Sequence, residues 1–184
     1  MKHGEILSTA YCGKVLDWLE DTRGSYLEIG VYNGVFLSFV AEIFPQHNVF
    51  GIDPFIGDGH TGQPQGSELS EQLQNARKNI EEFSNAKIWE HTTKECLDNH
   101  YYRELNEVSC VLVDGSHHYD DILIDFEFIS RIQNNRRMLV LFDDLHIKDV
   151  VDAISFFEKE YSSRIVSKIY NTPKVVGFEL NTNS

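Results

Sequence analysis

Positive charge is scarce in this chain of 184 residues: 16 lysines and arginines stand against 29 aspartates and glutamates, for a net charge of -13. No Lys/Arg-rich stretch breaks the pattern. Nucleic-acid binding draws on basic groups that displace counterions from phosphates, so a nucleic-acid partner is not expected. Cysteine is scarce too, with Cys12, Cys96 and Cys110 alone. An odd count argues against a disulfide framework, the spacing fits no metal motif, and Cys110 inside an apolar run reads as core. Long apolar runs are missing. No stretch approaches the roughly 18 uninterrupted apolar residues of a membrane span. The opening MKHGEILSTAYCGK lacks the apolar core of a signal peptide. These absences predict a cytoplasmic protein with no membrane partner.

What is present reads as globular: 41% of residues are apolar and the charges are scattered. A chain of this length suits one domain spanning residues 1–184, which would bury roughly 70% of its unfolded surface. The acidic balance favours solubility and, weakly, cationic ligands. Repeats and linkers are absent from the pattern.

An opening helix is expected over about 5–21, with Ile6, Leu7, Val15, Leu16, Trp18 and Leu19 as its apolar positions. Short apolar runs at 25–30, 48–52, 86–90, 107–113 and 137–142 read as strands. Helical patterns fall between and after them at about 35–44, 69–83, 94–105, 120–133 and 148–161. This alternation predicts an α/β, Rossmann-like, doubly wound sheet, mostly parallel and covered by helices on both faces. Two further runs, 164–170 and 175–180, are separated only by Asn171-Thr172-Pro173-Lys174. No crossover helix fits in that gap, so an antiparallel hairpin is expected to complete a seven-stranded sheet. The Gly/Pro/Gln-rich stretch 57–67 is long enough to serve as a lid, and His60 within it reads as a surface histidine.

In such sheets ligands bind at the carboxyl ends of the strands, near the reversal of strand order. Those ends carry Glu28-Ile29-Gly30, Asp53, His91-Thr92-Thr93, Asp114 and Asp143-Asp144. The turn after the first strand is EIGVYNGV, where Gly30 and Gly34 allow close backbone approach to a ligand. Tyr32 stands where the dinucleotide fingerprint requires a second glycine. A glycine-poor turn preceded by an acid suits a ligand that carries positive charge and lacks a pyrophosphate. Asp53 is placed to accept hydrogen bonds from a ribose diol.

Taken together, EIGVYNG, IDPFIGDGHTG, VDGSHHYDDILIDF and LFDD resemble class I S-adenosylmethionine-dependent methyltransferases over roughly residues 25–145. The nearest group is the small-molecule O-methyltransferase branch that contains macrocin-type sugar methyltransferases. The resemblance implies that Glu28, Gly30 and Gly34 shape the methionine and ribose end of the cofactor pocket. It implies that Asp53 holds the ribose hydroxyls, with Val31, Tyr32, Asn33, Pro54, Phe55, Thr92, Asp114 and Gly115 also against the cofactor. By the same resemblance Asp114, Asp143 and Asp144 fall where metal-dependent members hold Mg²⁺, and His117 falls where a general base is proposed. Two departures stand out: Val35-Phe36 replaces small residues after the last glycine, and Asn134-Asn135-Arg136 replaces a glycine pair. The first could alter the cofactor pocket; the second reads as a turn, since Asn tolerates left-handed backbone.

Methyl transfer to oxygen needs a nucleophile relieved of its proton. Carboxylates select hard cations, and a cation bound at neighbouring strand ends by Asp114, Asp143 and Asp144 would acidify and orient a hydroxyl. The alternative is that Asp143 or Asp144 caps the following helix. His117, three residues past Asp114, is close enough to take a proton, whereas His118 should face outward. Asp120 and Asp121 suit the dipole of the helix they open, and Asp125 within it reads as structural. The expectation is an S-adenosylmethionine-dependent methyltransferase, metal-assisted by Mg²⁺ or Mn²⁺, acting on a sugar or other small hydroxyl substrate. Metal-independent N- or O-methylation and a catalytically silent nucleotide-binding or assembly module are the alternatives. Oligomeric state stays open, a homo-oligomer included.

Overall fold

Strands form here because short β-branched and aromatic runs are apolar on both faces, a pattern stable only between two covering layers. The computed structural model describes residues 11–56, 67–132 and 137–181. Its elements, in order, are α1 (Cys12–Thr22), β1 (Ser25–Ile29), α2 (Val35–Ile43), β2 (Val49–Ile52), α3 (Ser67–Ile80), β3 (Ala86–Trp89) and α4 (Thr93–Asp98). A 3₁₀ turn (Tyr101–Arg103) leads to β4 (Val108–Val113), α5 (Tyr119–Arg131), β5 (Arg137–Phe142), α6 (Lys148–Glu160), β6 (Ile165–Asn171) and β7 (Val176–Asn181). The seven strands form one sheet in the order β3-β2-β1-β4-β5-β7-β6. Every pairing from β3 to β5 is parallel, and β7 runs antiparallel to both β5 and β6. The expected fold and its terminal hairpin are both present.

Alternation along the central strands builds two cores. Val111 and Val113 of β4, with Val140 and Phe142 of β5, face a layer made from α5 and α6 through Ile122, Phe126, Ile154 and Phe157. Cys110 and Leu112, with Leu139 and Leu141, face α1 and α2 through Val15, Leu19, Leu37 and Val40. Phe126, Phe142 and Phe157 meet at centroid distances of 4.8 to 5.3 Å, tilted and edge-on, geometries that aromatic quadrupoles favour. Buried Cys110 is core, as its neighbours indicated.

One helix differs from its sequence pattern. In place of a single helix over 94–105, α4 ends at Asp98 and a separate 3₁₀ turn follows. Asn99 Nδ2 donates back to the Glu95 carbonyl at 2.8 Å, and His100 adopts φ 60°, a left-handed stop that a continuous helix excludes. At its other end Thr92 and Glu95 form a capping box, the reciprocal arrangement that fixes where the chain leaves β3. The opening helix is described from Cys12, so positions 5–10 of that expectation lie outside the described residues, as do residues 57–66 of the candidate lid and the turn at Asn134-Asn135-Arg136. No helix among the described residues is long and apolar enough to cross a membrane.

Candidate active site

Strand order reverses at β1, which pairs with β2 on one side and β4 on the other. A cavity of about 650 Å³ opens at the carboxyl ends of these strands. It is lined by Glu28, Gly30, Val31, Tyr32 and Asn33 after β1, by Asp53, Pro54 and Phe55 after β2, and by Thr92 after β3. Asp114, Gly115 and His117 after β4 and Asp144 after β5 complete the wall. Nearly every residue expected to meet a cofactor is therefore brought to one cavity. Gly34 is not on its lining; it sits at the start of α2 with φ 69°, close against Ala76.

The turn after β1 is clamped by Asp53. One carboxylate oxygen accepts from Val31 N and Tyr32 N at 2.8 and 2.9 Å, and the other accepts from Phe55 N at 2.7 Å. Burial raises the pKa of Asp53, and the three N–H bonds oppose that rise. Gly30, at φ 90°, lies so close to the chain after β4 that a Cβ there would fall 2.0 Å from the Asp114 carbonyl oxygen. Tyr32, Phe55 and Asp144 also hold left-handed backbone without being glycine. Such strain is kept where the surroundings dictate it, and here it sits at three strand ends facing one cavity.

Carboxyl groups dominate the β1–β4–β5 end. Buried Glu28 accepts a 3.0 Å hydrogen bond from Tyr26 Oη. Desolvation raises its pKa well above the ordinary range despite that bond. Asp114 is pushed up to about 8, first by burial and then by the like charges of Asp143 and Asp144. Asp144 goes the other way, held low by the imidazole of His117, whose Nε2–H donates to Asp144 Oδ2 at 2.8 Å. His146 Nδ1 lies 3.5 Å from the second Asp144 oxygen.

Asp143 is not on the wall of the main cavity; it borders a small neighbouring hollow together with Asp114, His117, Asp144, Phe142 and Val150. Its Oδ1 accepts from Asp144 N at 2.8 Å, and α6 is capped at Ile147 with no side-chain bond, so neither aspartate serves as the helix cap. The three carboxylates of Asp114, Asp143 and Asp144 all border that hollow, and the charges of Asp143 and Asp144 are felt at Asp114. Among the described residues no group of three His, Cys, Asp or Glu side chains is placed to hold a metal.

The paired histidines separate as expected. His117 lines the cavity, while His118 is exposed at the N-terminal boundary of α5. Asp120 and Asp121 lie in the first turn of α5, and Asp121 accepts from Ser116 Oγ at 2.8 Å.

Several lining residues carried no clear signal in the sequence. Asp125 is buried on the cavity face of α5, one turn beyond Asp121. It is hydrogen-bonded to Thr93 and raised to about 7, chiefly by burial. Tyr11 lies over the opposite end, its pKa raised by burial and then by Asp114, Glu28 and Asp143. The Asp121–Asp125 spacing could have marked a polar helix face; nothing in the sequence marks Tyr11.

The residues present fit S-adenosylmethionine. Asn33 Oδ1 is a buried acceptor with no hydrogen-bond partner, at the edge of a cavity whose near end is rich in carboxyl groups. A ligand bearing an amino group and a sulfonium would meet both needs.

Comparison with known proteins agrees with this geometry. No functionally curated protein matches the chain in sequence. The O-methyltransferase NovP shares its fold with a TM-score of 0.68 at 13% identity, covering 91% of this chain and 77% of NovP. The TDP-rhamnose 3'-O-methyltransferase CalS11 does so at 0.67 and 14%, covering 100% and 82%. MycE, solved with Mg, S-adenosylhomocysteine and mycinamycin VI, gives 0.61 and 13%; 95% of this chain aligns, with 50% of MycE. The methyltransferase-domain family model matches residues 27–145. That span runs from the middle of β1 to just past Asp144 and contains every strand end that lines the cavity. The chain belongs to the methyltransferase-domain family, enzymes that draw their methyl group from S-adenosylmethionine.

Proposed function

We propose that the enzyme methylates a hydroxyl oxygen of a small molecule, a sugar or similar polyol, with His117 as the general base. The observation that carries this reading is the 2.8 Å His117–Asp144 pair on the wall of the cavity that begins at the β1 turn. An imidazole fixed by a carboxylate through one ring nitrogen is oriented to take a proton from a hydroxyl. When bound, S-adenosylmethionine supplies an electrophilic methyl group on a positively charged sulfur.

The side chains around it have distinct tasks in this reading. Asp53 holds the β1 turn in shape and offers its remaining lone pair to the ribose. Glu28, Gly30 and Asn33 receive the methionyl end, with Val31, Tyr32 and Gly34 shaping the turn. Pro54, Phe55, Thr92 and Gly115 bound the nucleoside. Asp114 faces the reacting centre. His117 would take the proton that the acceptor hydroxyl gives up as its oxygen gains the methyl group. The names of two structural neighbours, a TDP-rhamnose 3'-O-methyltransferase and a mycinamycin-pathway enzyme, support a sugar-bearing acceptor.

A metal-assisted version, with Mg²⁺ or Mn²⁺ on Asp114, Asp143 and Asp144, draws support from their shared hollow and from Asp114, raised by burial and then by the like charges of the other two. Proton removal is assigned to His117, and an ion held by the three carboxylates would add to it by acidifying the acceptor hydroxyl. Calorimetry should show S-adenosylhomocysteine binding that Asp53→Ala weakens; tight NADH binding with no response to S-adenosylhomocysteine would overturn the cofactor assignment. Transfer to a panel of sugar hydroxyls, run in EDTA and then with Mg²⁺ or Mn²⁺, decides the metal. Full activity in EDTA removes it; loss in EDTA with recovery on adding the ion restores it.

A further inference from the structure

The two ends of the cavity differ in chemistry. At the β3 end stand Thr92, Thr93 and Lys94, with Asp125 across from them on α5. At the β1 end stand Tyr11, Phe36, Glu28 and Asp114, and the lining there includes no lysine or arginine among the described residues. Tyr11 and Phe36 are nearly fully buried and meet edge to face, with centroids 5.0 Å apart and planes at 79°. Phe36 is braced from behind by the fully buried Tyr26 ring at 6.1 Å, the same tyrosine that donates to Glu28. Two aromatic rings and two carboxyl groups thus close one end of the pocket.

This combination has a specific chemical preference. A sulfonium has positive charge but no N–H or O–H, so hydrogen-bond acceptors alone cannot recognise it well. Aromatic faces attract cations through their quadrupole, and low surrounding polarity strengthens the attraction. A thioether of the same shape, as in the product after methyl loss, has no charge and gains only ordinary packing from the same rings.

We propose that Tyr11 and Phe36 form an aromatic wall that discriminates charged S-adenosylmethionine from neutral S-adenosylhomocysteine, so that loss of the methyl group itself loosens the product. This rests on the cofactor placement proposed above, with the methionyl end against Glu28. The wall joins α1 to α2, so the α1 segment is part of the cofactor site as well as a cover for the sheet.

The test compares the two ligands in calorimetry against wild type, Phe36→Leu, Tyr11→Leu and Tyr11→Phe, each checked for folding by circular dichroism. Leucine keeps apolar bulk and removes the ring. Phe36→Leu and Tyr11→Leu should weaken S-adenosylmethionine by about 5- to 30-fold, the range of a desolvated cation–π contact, while S-adenosylhomocysteine changes less than about threefold. Tyr11→Phe keeps the ring and should keep the preference. Should the leucine variants weaken both ligands equally, the wall merely packs and the inference fails, although the cofactor assignment stands. Wild-type protein that binds neither ligand overturns both. Where a leucine variant does not fold, the ratio of the two affinities in Tyr11→Phe and Phe36→Tyr decides: it should stay within about twofold of wild type, and a larger collapse counts against the rings.

Discussion

A single imidazole separates two very different residues in the stretch Ser116-His117-His118-Tyr119. His117 lines the cavity and is hydrogen-bonded to Asp144, whereas His118 sits exposed where the chain enters α5. The backbone turn before the helix sends neighbours to opposite sides. His117→Ala should therefore lose about 10²- to 10⁴-fold in transfer rate with cofactor binding intact, while His118→Ala loses far less. Steady-state rates with calorimetry check both, and the reverse ranking in folded variants would remove His117 as the base. The identity of these residues was legible from the sequence because they follow an apolar strand. Their opposite directions were expected too, from the turn before the helix. Spacing along the chain shows that Asp114, Asp143 and Asp144 end adjacent strands, but tertiary packing decides that Asp114 and Asp144 reach the cavity wall while Asp143 borders only the hollow beside Val150.

At the scale of elements, the site is made by close approach between the ends of β1 and β4. Gly30 is the residue that permits it: its φ of 90° and the 2.0 Å that would separate a Cβ from the Asp114 carbonyl leave no room for any side chain. Gly30→Ala should cost more than the roughly 1–3 kcal/mol of the left-handed backbone alone. That corresponds to a melting temperature lower by at least several degrees in a chain of this size, read by thermal denaturation. A melt unchanged within a degree would mean that the two strand ends move apart easily. All seven strands could be read from the sequence within about a residue at each end, since each is an apolar run bounded by turn residues. The helix after β3 could not, because its apolar spacing runs on through Tyr101 and Leu105 while the break depends on Asn99 turning back onto Glu95. Asp125 and Tyr11 were unreadable as lining residues for a related reason: which face of α5 or α1 overlies the cavity is decided by tertiary packing.

For the molecule as a whole, the carboxyl-rich cavity sets a pH dependence of stability. An unfolded aspartate releases its proton near 3.8, whereas folded Asp114 does so near 8 and Asp125 near 7. Between those limits the folded state holds protons that the unfolded state has lost, so stability falls as pH rises through this window and levels off above it. Thermal melts from pH 5 to 9 should show that decline in wild type and a shallower one in Asp114→Asn; equal slopes would place the raised carboxyl elsewhere. The strand order carries a different consequence, one of timing. Between β1 and its β4 neighbour lie α2, β2, α3, β3 and α4, and parallel pairings of such long sequence separation make folding slow. The β6–β7 hairpin closes locally and has no such delay. The cavity spans those long-range pairings, so the contacts that a bound nucleoside bridges are expected to form after the folding transition state. Saturating S-adenosylhomocysteine should therefore leave the refolding rate nearly unchanged and slow unfolding by the full factor of its stabilisation, making the cofactor a brake on the protein's loss.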